Sequence, residues 1–151
     1  MIASFPGAST DLASRRDILR RGSWGDGTEA VCMMSAIVDG ARNEQDCVTA
    51  GWPEWLVKVN VQLFDAETGA ENEDLAAYEF ARDVAEAVAE PVDFDAALLH
   101  FQIAVVEHAR KTLTAVDGDW RQQLDSIDSV LVALRRKLAG HDVEGELDAA
   151  W

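Results

Sequence analysis

The chain is 151 residues long, 48% hydrophobic, and carries a formal net charge of −15. That length and apolar content fit one globular domain burying roughly 70% of its unfolded surface, and they exclude a disordered acidic tail. The charge excludes a broad basic face of the kind that holds nucleic acid or anionic lipid.

Two cysteines, Cys32 and Cys47, are too few for a disulfide framework. They read as buried free thiols in a reducing, cytoplasmic compartment. No run approaches the roughly 18 apolar residues of a membrane span.

In chain order, Ser9 or Thr10 caps a first helix running to about residue 21, with Arg15, Arg16, Arg20 and Arg21 toward its end and Gly22 as its stop. The run Ser14-Arg15-Arg16-Asp17-Ile18-Leu19-Arg20 is similar to a twin-arginine export motif. Asp26 and Glu29 fall where such a signal needs apolar residues, so the reading is a basic helix. A second helix is expected over 29–38, apolar nearly all round and therefore buried. Asn43 caps a short turn through Asp46, Cys47 and Val48. Pro53 opens the next segment, 55–64, where Val57, Val59, Val61 and Leu63 alternate like a strand while Trp55, Leu56, Val59 and Leu63 form a helical face. With no second strand to pair with it, helix is the reading.

Residues 65–71 form a polar loop, Asn72 caps a helix to about 89, and Pro91 stops it. Asp93 caps a long helix over 94–116, Asp117-Gly118 breaks it, and a last helix runs from Asp119 to about Leu138 with Gly140 beyond. Residues 141–151 read as a flexible acidic tail. The expected fold is all-α: a single compact helical bundle of five to six helices over 1–140, with the 94–116 and 119–138 helices as its hairpin core and the 94–116 helix central.

Charge is distributed unevenly. Between Asp65 and Asp95 eleven carboxylates face one base, Arg82, a local charge of −10. At about 100° per residue, Glu79, Asp83, Glu86 and Glu90 fall within roughly 60° of arc, opposite Ala77, Phe80, Ala81, Val84 and Val88. A solvated face kept acidic for solubility accounts for such a stripe; so does a carboxylate row imitating the regular negative charges of a nucleic-acid backbone. On the second reading Glu79, Asp83, Glu86 and Glu90 are contact residues, and Asp65, Glu67, Glu71, Glu73 and Asp74 steer the approach. Trp120, Leu124, Ile127, Leu131, Leu134 and Leu138 make an a/d seam, either a homodimer interface or the packing face of a helical hairpin.

No catalytic, metal or cofactor site emerges. His100, His108 and His141 share no metal spacing with each other or with Cys32 and Cys47. The loop 65–74 lacks the alternating ligands of a calcium site. The segments Cys32-Met33-Met34-Ser35-Ala36, then Cys47-Val48-Thr49-Ala50-Gly51-Trp52-Pro53-Glu54-Trp55-Leu56, then Leu63-Phe64-Asp65 resemble small acidic, mostly helical proteins associated with phages and prophages. The resemblance covers the middle third of the chain. It implies a shared fold, no catalytic position, and a protein that acts on host nucleic-acid-binding machinery. The expected function is a non-enzymatic acidic protein occupying the cationic surface of a partner. The alternatives are self-association through 120–138 and immunity against a basic toxin.

Overall fold

A computed structural model describes residues 1–22, 24, 31–66, 73–143 and 145–146, with only the backbone of Glu73 and Asp74. Chain packing divides the protein into residues 2–92 and residues 93–151 with Met1. The single helical domain expected over 1–140 therefore spans two compact units.

In the first unit, α1 (Ala8–Ser14) is followed by a short 3-10 turn (Arg16–Ile18), then α2 (Met33–Ile37). Neither long helix expected here forms, and one cause accounts for both. Arg20 donates its amide to the Val31 carbonyl at 2.8 Å, and Val31 donates to Ile18 at 2.9 Å, a parallel bridge between Leu19 and Val31. Backbone groups spent across the chain cannot also bond along it, so the first helix stops early and the second starts late. Cys32 caps α2, its Sγ accepting from the Ser35 amide at 3.5 Å. All five residues of α2 are buried, as the all-round apolar pattern requires.

Next, Asn43 caps α3 (Glu44–Thr49), its Oδ1 accepting the Asp46 amide at 3.0 Å. Gly51 turns the chain at φ +98°, a region that favours glycine. Helix α4 (Glu54–Asp65) resolves the strand-or-helix ambiguity at 55–64. Its buried residues Val57, Asn60 and Phe64 recur at helical spacing, whereas the strand alternation would have put Leu63, 50% exposed, beside Val57. Pro53 sits one residue before the helix, as its cap. Trp52 is buried and stacks on Phe5 with ring centroids 4.4 Å apart. Helix α5 (Glu73–Ala87) packs on α1 and α4.

The class is helical, with one addition that the sequence reading lacked. Ile2–Ala3 (β1) pairs with Val92–Asp93 (β2) in a minimal two-stranded sheet. Seven α-helices occur among the described residues, against the five to six expected, because the short stretch after Asn43 closes a helix of its own.

The second unit is a hairpin of α6 (Phe94–Thr114) and α7 (Arg121–Leu138). The Asp93 carboxylate caps α6 by accepting the Asp95 and Ala96 amides at 3.1 and 3.4 Å, and those amides hold its pKa below the usual range. In the connection Gly118 has φ +155°, and a Cβ there would fall 2.6 Å from the Trp120 indole nitrogen, so no side chain fits. That nitrogen donates to the Val116 carbonyl at 3.2 Å. At the far end, the Gly140 amide bonds Lys137 O and the His141 amide bonds Arg136 O, a Schellman stop with Gly140 at φ +85°.

One expectation is corrected in this unit. On α6 the one buried residue is Phe94, and Val105 is 50% exposed, so α6 is not a central helix. A helix with a single neighbour in its unit can bury only one stripe. Just past α7, Val143 is buried, and Glu146 pairs with Arg136. Residues 147–151 lie outside the described residues.

Candidate interaction surface

Helix α5 separates its residues cleanly. Ala77, Ala81 and Ala85 are buried, as is Val88 just past the helix end; small side chains at i, i+4, i+8 let neighbouring helices approach. Glu79, Asp83 and Glu86 are exposed on the other side. Glu90 is also exposed but lies beyond Ala87, so the helix holds three members of the expected row of four.

Arg82 modifies that row at its middle, not at one end. Its Nη2 lies 2.9 Å from Asp83 Oδ1, and its Nε lies 3.8 Å from Glu86 Oε1. The hydrogen bond to Asp83 is the main cause of its raised pKa. Four carboxylates against one guanidinium leave the edge 79–90 at −3. Both partners are well exposed, so the pairing neutralises charge without rigidly fixing either side chain.

The five steering carboxylates fare differently. Asp65 is engaged internally: its Oδ1 accepts the Gly22 amide at 2.8 Å, holding the turn after Arg21. Glu67 and Glu71 lie outside the described residues. Glu73 and Asp74 open α5, and their side chains lie outside the description too.

Along the 120–138 seam, Leu131 and Leu134 are buried within the chain, and Trp120, Leu124, Ile127 and Leu138 are half-buried. The hairpin has two unlike flanks. One is polar, where Arg110 pairs with Asp128 and Arg135 with Glu107, each at 2.6 Å. The other is a groove of about 530 Å³ whose walls include Val105, Val106, Ala109, Ile127 and Val130.

Both thiols are buried and free. Burial pushes Cys32 up and drives Cys47 to about 12, so neither is a thiolate nucleophile at neutral pH. Among the described residues no group of three His, Cys, Asp or Glu side chains could hold a metal ion. No helix there is long and apolar enough to cross a membrane.

Sequence reasoning missed one feature. The basic run was assigned to the end of a helix, but α1 stops at Ser14, and Arg16, Arg20 and Arg21 line a cleft with Phe64, Leu75 and Tyr78. The signal was visible as four arginines within seven residues of a strongly acidic chain. Comparison with protein-family models, with curated proteins and with solved structures finds no match to this chain.

Proposed function

We propose that the protein is a non-enzymatic, cytoplasmic, phage-encoded acidic binding protein. It occupies the cationic, nucleic-acid-binding surface of a partner and acts as an inhibitor or nucleic-acid mimic; an immunity protein against a basic toxin would use the same surface. One observation carries the reading: Glu79, Asp83 and Glu86 are exposed together on one edge of α5, backed by a buried alanine face that anchors the helix. At 1.5 Å rise per residue they repeat about every 4.5–6 Å along the axis, a spacing comparable to that of backbone phosphates. Like charges at this spacing cost an isolated helix a few tenths of a kcal/mol, so the row persists against local stability.

The test is capture of the partner from host lysate at low salt, followed by competition with labelled DNA for the captured protein. Changing Glu79, Asp83 and Glu86 to Lys should abolish both capture and competition. Wild-type affinity should fall steeply between about 50 and 200 mM salt. Capture that survives the triple reversal, or ignores salt, sinks the proposal.

A second reading, self-association, is favoured by the apolar groove between α6 and α7. Because Leu131 and Leu134 are already buried in the chain, the contact would run along Val105, Val106, Ile127 and Val130 and not along the whole a/d seam. Sedimentation that stays monomeric at every accessible concentration removes it.

A further inference from the structure

We propose that the cleft over Arg16, Arg20 and Arg21 binds a small organic oxyanion: a carboxylate or phosphate carried on an apolar body about the size of one ring. The cleft has a volume of about 330 Å³, near the lower end for small-molecule sites. Three guanidiniums and one carboxylate, Asp17, line it, while Phe64, Leu75 and Ala77 supply apolar wall. Among the described residues no other cleft is lined by three arginines.

The Arg16 and Arg20 guanidiniums are not consumed by the fold. Arg15, by contrast, is spent: it donates to Ser35 O at 2.6 Å and to Asp39 Oδ1 at 2.9 Å. Among the described residues, Arg16 and Arg20 pair with no carboxylate. Arg20 gives one N–H to its neighbour's carbonyl, Leu19 O, at 2.7 Å. Arg16 lies flat over Tyr78, 4.5 Å from the ring centroid. Stacking uses the π-face of a guanidinium and leaves its in-plane N–H donors available for bidentate contact with an oxyanion.

The backbone that carries them is tied at both sides. The Leu19–Val31 bridge holds the strap beside Arg20, and the Gly22 amide bonded to Asp65 holds it after Arg21. A preorganised cationic wall costs little to order on binding. At physiological salt, screening confines the repulsion of the chain's other carboxylates to about 8 Å, so short-range contacts decide.

The experiment is a ¹H–¹⁵N titration of the full chain with phenyl phosphate and with phenylacetate, against inorganic phosphate and benzyl alcohol. At least one aryl oxyanion should shift the Leu19 and Gly22 amides saturably, with a Kd below about 1 mM. Inorganic phosphate and benzyl alcohol should bind at least about tenfold more weakly. Arg16→Gln and Arg20→Gln change exposed side chains, so the remaining spectrum should stay wild-type; each should weaken the aryl oxyanion about tenfold. The proposal is overturned by absence of saturation up to about 10 mM, by equal affinity for either control, or by glutamine variants that bind like the wild type.

Discussion

Arg110 reaches across the hairpin to Asp128 with two hydrogen bonds, 2.6 Å from Nε to Oδ1 and 3.2 Å from Nη2 to Oδ2. The fork geometry ties α6 to α7 at a defined register, and Arg135 with Glu107 repeats the tie about one turn along α6 and about two turns along α7. Together they give the second unit a polar edge that sets which residues face the apolar groove.

The hydrogen bond from Arg110 is the chief cause of the lowered Asp128 pKa. A depressed carboxylate contributes stability above its unfolded pKa, about 3.9, and loses that contribution as pH falls through the lower folded value. Asp128→Asn should therefore melt slightly below the wild type at pH 7, and the gap should close toward about pH 2. Circular-dichroism melts across that range check it. A gap independent of pH would mean that packing, not charge, is what the substitution disturbs. The pair is half-exposed, so the effect at neutral pH is small.

Asn60 sits on the buried face of α4 at 3% exposure, and its Nδ2 has no acceptor among the described residues. A buried donor without a partner carries its desolvation penalty. Asn60→Leu, similar in volume, should raise the unfolding free energy by about 1–3 kcal/mol in a urea titration. A loss of similar size would instead reveal that the amide is bonded after all.

Cys32 and Cys47 are buried, with pKa values raised chiefly by that burial, Cys47 to about 12. At pH 8 the folded protein should resist a thiol-reactive dye, and both thiols should label promptly in denaturant. Rapid labelling of native protein would contradict the packing around α2 and α3.

Much of the fold was legible because it rests on local chemistry. The Asp93 and Asn43 caps and the Gly140 stop follow from residues about a turn apart, and two long helices either side of Asp117-Gly118 make the 94–138 hairpin legible. Helix α4 was legible by elimination, since no second strand existed for it. The exposure of Glu79, Asp83 and Glu86 followed from one helical period. Helical periodicity also mapped the seam, and packing within a helical hairpin, one of its two readings, has Leu131 and Leu134 buried in their own chain.

What failed depends on distant partners. The bridge between Leu19 and Val31 truncates two helices, and no local propensity encodes it. The pairing of Ile2–Ala3 with Val92–Asp93 joins segments some ninety residues apart. The hydrogen bond from the Gly22 amide to Asp65 likewise joins residues 43 apart.

By itself, then, the sequence determined the helical class, the main helix limits and the acidic edge of α5, because capping, periodicity and charge act over three or four residues. Only the tertiary structure decided where backbone bonds would be made across the chain, and with them that Arg16, Arg20 and Arg21 leave the helix to line a cleft. A hydrogen-bonding group can be spent once, and which partner takes it is set by packing between remote segments.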